Sequence, residues 1–334
     1  MKVLFIGLNW LGDVVMSLPA ILATAKKHEV HILTRPHLAQ IYRFTEAFAA
    51  IHEIPTNGLM LASLPRLRQL KSENFDQIIV LPDSLRAAII AWLCRASSLG
   101  YNTQGRKMFL SRTLEKPENF KSIHESRLHF ALVKKAGLAH DFMPLPRFSF
   151  APEKIAQTLD EFGMAKNQPY LIFAPGAAFG AAKRWPAEKF AKLAQLLYQK
   201  KPELKILVTG SGNEADIAEK VAAAGDNSTS IAGKTSLEKL AILLSQAKAM
   251  VANDSGTMHL AAMFATPTMV PVGPTDMTRT GSLSEKVQYF YGSESCPQAP
   301  CRLKVCPRKD HICMQSIDPV EIFQAISKLG DGGQ

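Results

Sequence analysis

The 334-residue sequence has only five cysteines, an odd number, and four of them fall between positions 296 and 313. That count and crowding exclude a disulfide framework running through the chain and fit a reducing compartment, so a cytoplasmic protein is expected. No apolar run reaches the roughly 18 residues that cross a bilayer. The apolar N-terminal stretch is broken by Asp13, which leaves no signal-sequence core. The familiar glycine signatures for phosphate are missing too. GLNWLGD, residues 7–13, has Gly7 and Gly12 but not the three glycines of a dinucleotide fingerprint, and Asp13-Val14 stands where a Walker loop needs Lys and then Ser or Thr. A carboxylate at such a helix start opposes a phosphate by roughly 1–4 kcal/mol at contact distance, so no phosphate is expected there. Short repeats, low-complexity tracts and a recognisable nucleic-acid module are likewise lacking.

What is present is a hydrophobic content of 47%, enough for two cores, and a net charge of +10. The charge is uneven: residues 1–150 hold 19 basic against 11 acidic side chains, the remainder 20 against 18. An anionic partner for the first half, or simply a solvated basic surface, accounts for that asymmetry. Apolar runs KVLFIGL, EVHILT, QIIVLPD and SLGYN alternate with helical stretches over 11–27, 36–48 and 84–95. After a charged helical linker near 151–166 the alternation resumes with YLIFAPG, LKILVTG, STSIAG, AMVAND and PTMVPVG. Helices are expected from Pro186, from about 213, over 236–246 and from Ser255, and a last one in DPVEIFQAISKLG. Strand-helix alternation predicts an α/β protein with two doubly wound parallel sheets, whose ligands collect beyond the carboxyl ends of the strands.

Four loops carry chemistry. Asp13 is either a helix cap favoured by the dipole or a general base at the mouth of a cleft. In APGAAFGAAKRWP, residues 174–186, small residues including Gly176 and Gly180 allow close backbone approach, and Lys183 with Arg184 suits a diphosphate; the alternative is two ordinary surface cations. In TGSGNEADIAEK, Glu214 either balances a helix start or accepts ribose hydroxyls. In NDSGTMHLAA, Asp254, Ser255, Gly256, Thr257 and His259 follow a buried strand and open a helix, an arrangement suited to an anion.

NWLGDVVMSLPA, PGAAFGAAKRWP, NDSGTMHLAA and GPTDMTRTG, in this order over nearly the whole chain, resemble the bacterial lipopolysaccharide heptosyltransferases, glycosyltransferase family 9, and among them the type II enzymes. The resemblance implies a GT-B fold of two Rossmann-like domains facing across a cleft, residues 1–155 for the acceptor and 165–334 for the nucleotide sugar. It implies inverting transfer of L-glycero-D-manno-heptose from ADP-heptose to the first heptose of a Kdo-containing inner core, with no cofactor required. A sibling preference for the type I or type III acceptor is the alternative. Asp13 matches the family's catalytic base, Lys183 its diphosphate lysine, residues 254–257 with His259 its phosphate turn, and Glu214 its ribose glutamate. Gly176 and Arg184 belong to the same nucleotide-sugar side. An acceptor rich in carboxylates and phosphates fits the basic first half, where Arg66, Arg68, Arg106, Lys107 and Arg112 are candidate contacts. Attraction to anionic lipid predicts peripheral association with the inner face of the inner membrane and no nucleic-acid partner. Cys296, Cys301, Cys306 and Cys313, near His311, are either a structural metal site or thiols, and catalytic in neither case. Cys94 lies in an apolar helix and is expected in the core.

Overall fold

A computed structural model describes residues 1–54, 64–145, 147–165 and 167–331. The chain divides into two compact units, one of residues 1–146 with 278–281, the other of 147–277 with 282–334.

In the first unit, β1 (Lys2–Ile6), β2 (Glu29–Thr34), β3 (Ala50–Glu53), β4 (Gln77–Val80), β5 (Ser97–Tyr101) and β6 (Arg112–Leu114) form one parallel sheet in the order β3-β2-β1-β4-β5-β6. Its helices are α1 (Leu11–Ala25), α2 (Ala39–Arg43), α3 (Leu64–Ser72), α4 (Leu85–Leu93) and α5 (Glu125–Lys135). Central strands such as β1 and β4 are apolar along their length because a parallel sheet is covered on both faces. Leu4, Ile78, Ile90 and Leu70 pack on one side of the sheet, while α1 lies against α5. The helix expected over 36–48 is shorter: a 3-10 turn over Pro36–Leu38 leads into α2, which ends at Arg43.

The second unit contains α6 (Pro152–Glu161), β7 (Tyr170–Ala174), α7 (Ala187–Lys200), β8 (Lys205–Val208), α8 (Ala215–Ala222), β9 (Ser228–Ser230), α9 (Leu237–Gln246), β10 (Ala249–Ala252), α10 (Gly256–Ala262), β11 (Thr268–Val272), β12 (Val287–Tyr291), α12 (Ile312–Gln315) and α13 (Pro319–Asp331). Between β11 and β12 the chain makes α11 (Met277–Thr280), and residues 278–281 of that stretch belong with the first unit. The second sheet is also parallel, ordered β12-β11-β10-β7-β8-β9. Counted from its own first strand this is the same order as the first sheet, read from the other edge. In each sheet the order reverses between the first and fourth strands, β1 and β4 or β7 and β10. Ligands of doubly wound folds bind at the carboxyl ends of those two strands. Phe173, Phe190, Trp185 and Leu193 anchor the second core. Asp318 accepts from the Val320 amide at 2.9 Å and so starts α13, as the Asp-Pro pair implies. Among the described residues no helix is long and apolar enough to cross a membrane.

Candidate functional site

At the reversal point of the first sheet, β1 delivers Asp13 and β4 delivers Asp83. Asp13 is not the cap of α1. Trp10 holds that position with extended backbone and no side-chain hydrogen bond, and Asp13 is the acidic residue of the first turn. It lines a cavity of about 290 Å³ with Asp83, Lys116, Glu125, His129 and Tyr101. Asp83 is held from two sides: its Oδ2 is 2.5 Å from Lys116 Nζ, and its Oδ1 is 3.6 Å from Arg106 Nη2. The Lys116 ammonium lies over the rings of Tyr101 and Phe120, at 5.3 Å from each. Glu125 accepts from Arg279 Nε at 2.7 Å. His129 is buried, and burial pushes its pKa down to about 4 although Glu125 and Asp83 pull it up, so it is neutral near pH 7.

One expected acceptor contact needs correction. Arg106 is fully buried. It donates from Nε to the Tyr101 carbonyl at 2.8 Å and from Nη1 to the Pro82 carbonyl, so it braces the Asp83 loop from beneath instead of meeting solvent. The other candidates are placed differently: Arg68, Lys107 and Arg112 are exposed, and Arg66 is partly so, donating to Gln69 at 2.6 Å. The cavity beside Asp13 contains none of these four residues.

In the second unit the loop after β7 and the loop after β10 meet at the reversal point. Asn253, fully buried, joins them: its Oδ1 accepts from the Trp185 amide at 2.8 Å and its Nδ2 donates to the Pro175 carbonyl at 2.7 Å. Lys183 Nζ lies 2.6 Å from Asp254 Oδ2, with side chains 15% and 7% exposed. Ser255, not Asp254, caps α10, and its side chain makes no capping bond. The hydroxyls of Ser255 and Thr275 and the Nε of Arg184 are buried without a hydrogen-bond partner among the described residues. Each such group costs roughly 1–3 kcal/mol if left so, which marks the carboxyl edge of this sheet as prepared for a ligand. His259 and Thr257 follow in α10, His259 buried and Thr257 partly exposed.

Glu214 closes a capping box: its Oε2 accepts from the Ser211 amide at 2.9 Å and from the Ser211 hydroxyl at 2.8 Å. Its other oxygen faces the first loop, for a Cβ on Gly176 would lie 2.0 Å from Glu214 Oε1. Gly176 is therefore glycine because a carboxylate occupies the space of a side chain. Gly180 obeys the same rule, since a Cβ there would meet the Lys304 carbonyl at 2.4 Å. The cysteine-bearing segment thus packs on the backbone of the Lys183 loop. Phe179, between those glycines, carries the Lys183 ammonium 4.8 Å and the Lys304 ammonium 5.5 Å from its ring centre. The four late cysteines line one small cavity together with His311. They carry no disulfide, and among the described residues no three His, Cys, Asp or Glu side chains come together as a metal-holding set. Cys94 is buried in the first core, as expected.

Residues 65–311 match glycosyltransferase family 9 (heptosyltransferase). The chain belongs to that family. It is similar to the lipooligosaccharide heptosyltransferase 2 of Haemophilus ducreyi, 30% identical over 86% of this chain and 87% of that one. Its counterpart in Haemophilus influenzae is 29% identical over the same shares. The solved E. coli ADP-heptose LPS heptosyltransferase II superposes with a TM-score of 0.82 over 98% of both chains, at 22% identity. That likeness shows the fold and agrees with the GT-B expectation. Sequence reasoning about this family 9 chain missed Asp83, Lys116, Glu125 and His129. Only Asp83 has a local signal, an acidic residue just past a buried strand.

Proposed function

We propose that this glycosyltransferase moves L-glycero-D-manno-heptose, with inversion, from ADP-heptose to the first heptose of the lipopolysaccharide inner core. The first unit takes the acceptor and the second the nucleotide sugar. Asp13 accepts the proton of the acceptor hydroxyl, whose oxygen attacks the anomeric carbon while the bond to the ADP oxygen breaks on the opposite face. The departing diphosphate gathers charge. Lys183 and the amides opening α10 oppose it, and Ser255 and Arg184 acquire the hydrogen bonds they lack. Glu214 accepts a ribose hydroxyl through Oε1, its Oε2 being engaged by Ser211. The chemistry in this reading draws on no cofactor.

The observation that carries the reading is the Lys183–Asp254 pair at the sheet reversal, beside buried donors without partners, in a chain of this family. Arg66, Arg68, Lys107 and Arg112 meet outer anionic groups of the acceptor, and the basic first half brings the enzyme to the inner face of the inner membrane as a cytoplasmic, peripheral protein. The cysteines serve as structural thiols that seat the Lys304 backbone against Gly180. Nucleic acid is not a partner. The test is transfer from ADP-heptose to Kdo-lipid A carrying zero, one or two heptoses, read by mass spectrometry. One added heptose on the one-heptose acceptor alone is expected; transfer to the heptose-free acceptor would assign the type I preference instead.

A further inference from the structure

In the first unit α4 reads LRAAIIAWL, eight apolar residues of nine, a composition suited to a helix covered on all sides. It is covered on one. Ala87, Ala88, Ile90 and Ala91 enter the core, whereas Leu85, Ile89 and Trp92, spaced i, i+4 and i+7, form a second apolar stripe on the opposite face. Leu85 is 40% and Trp92 56% exposed, with Ile89 partly so. A 3-10 turn over Arg106–Phe109 packs beside α4 and extends the stripe. The Phe109 ring meets Trp92 edge-on at 6.0 Å, and Met108, next to it in the turn, is 78% exposed. Single exposed apolar side chains mean little, but a continuous patch rimmed by polar ones marks an interaction surface. Cations border this one. Arg95 lies three residues beyond Trp92, Lys107 adjoins Met108, and Arg112 opens β6; all three are exposed and, among the described residues, none enters an ion pair. The sequence from 84 to 114 contains no Asp or Glu, and Asp83, just before it, is engaged by Lys116 and Arg106. Leu303 and Val305 of the second unit are also exposed, but there Arg302 is paired with Asp276 and Arg308 with Asp310.

We propose that the outer face of α4 docks on a bilayer of anionic phospholipid, with Trp92 and Met108 entering the head-group boundary and Arg95 meeting lipid phosphates. Tryptophan and long aliphatic side chains beside Lys and Arg are the make-up of an element that lies in the interfacial plane. Charge and shape separate this occupant from others. A second copy placed face to face would gather Arg95, Lys107 and Arg112 of both chains at one interface, where they repel. Single-stranded nucleic acid stacks its bases on aromatic rings, and Leu85, Ile89 and Met108 offer none. The inference rests on the membrane part of the proposed function, to which it gives a place on the molecule, and is independent of the heptose chemistry.

Co-sedimentation of the whole protein with vesicles of phosphatidylethanolamine and phosphatidylglycerol, against vesicles of phosphatidylcholine alone, measures the docking. Wild type is expected to bind the anionic vesicles about tenfold or more tightly than the neutral ones, and less as salt is raised. Trp92→Ser and Met108→Ser should each lower binding to anionic vesicles about tenfold, through apolar burial lost, and Arg95→Gln about fivefold, through one charge lost at the lipid surface. All three side chains are exposed, so the variants should fold, which thermal melts check; if one unfolds, the other two decide. Trp92→Leu keeps an apolar side chain and should still bind, but without the tryptophan quenching that lipid brominated on its acyl chains produces in wild type. Quenching that persists in this variant overturns the insertion of Trp92. Wild type that binds neither vesicle overturns the surface and the peripheral attachment together; wild type that binds, with every variant equal to it, overturns the surface alone. So does self-association, or binding of poly(U) RNA, that these substitutions abolish while vesicle binding stays unchanged. In the transfer assay the Trp92→Ser and Met108→Ser enzymes should match wild type within twofold on acceptor freed of its acyl chains and fall about tenfold on acceptor embedded in anionic vesicles. An equal loss on both forms overturns the docking role. Wild type that transfers heptose to neither sinks the transfer reading and leaves the vesicle result standing.

Discussion

Replacing Lys183 by Met separates what that lysine does for folding from what it does for the donor. Its ammonium lies 2.6 Å from Asp254, and the side chains are 15% and 7% exposed. Breaking a buried pair from one side costs about 3–5 kcal/mol, and with part of Lys183 still wet the lower end, about 3 kcal/mol, is expected. In a unit of this size that lowers Tm by roughly 6–12 °C. Adding Asp254→Asn removes the stranded carboxylate, so the double variant should regain most of the loss. Activity should not follow. A cation opposing the charge of a leaving diphosphate is worth roughly 10²–10³ in kcat, and the double variant still lacks it. Thermal melts and a coupled assay for released ADP on both variants make the comparison. A double variant with wild-type Tm and kcat/KM for ADP-heptose within tenfold of wild type would refute the leaving-group role and leave the pair as packing.

Asp13→Asn should lower kcat by roughly 10²–10⁴ with donor KM unchanged, measured in the same assay; a near wild-type rate would remove the base. His129 makes stability acid-sensitive: below about pH 6.5 the unfolded chain takes up a proton that the buried ring, with its pKa near 4, refuses, so stability falls between pH 6.5 and 4 and is unaffected above. Unfolding free energies from urea titrations at pH 7.5 and 5.0 should differ by about 2 kcal/mol more in wild type than in His129→Gln. Iodoacetamide should label Cys296, Cys301 and Cys306, which are partly exposed, well before Cys94, whose thiol burial pushes up to about 11. Protection of the first three that a chelator relieves would instead mean a bound metal.

The strands most legible in the sequence are those buried on both faces, such as β1, β4, β7 and β10, because they read as apolar runs ended by Gly, Pro or Asp. Both edge strands of the first sheet escaped notice for the opposite reason: AIHE and RTL, in β3 and β6, are short and half polar, and their pairing is set by the neighbours β2 and β5. α5 was missed because the cap is a histidine, His124, accepting from the Ser126 amide, which no ordinary N-cap rule anticipates. In the candidate site, Asp13, Lys183, Glu214 and Asp254 stand out locally, since loops after strands carry their own glycines and charges. Arg106 misleads for lack of such a signal. Its neighbours in the chain, GRKMF, look like a solvated loop, and only the fold shows the Tyr101 and Pro82 carbonyls that hold it inside. Lys116, Glu125 and His129 come from distant segments, and composition gives no hint that they converge.

The detour of residues 278–281 bears on biosynthesis. At translation rates of roughly 5–20 residues per second, Arg279 leaves the ribosome about 7–30 s after residue 146. Until then the nascent first unit holds Glu125 without the guanidinium that the finished protein sets 2.7 Å from it. The last contacts of this unit are therefore made late, after much of the second sheet has been synthesised.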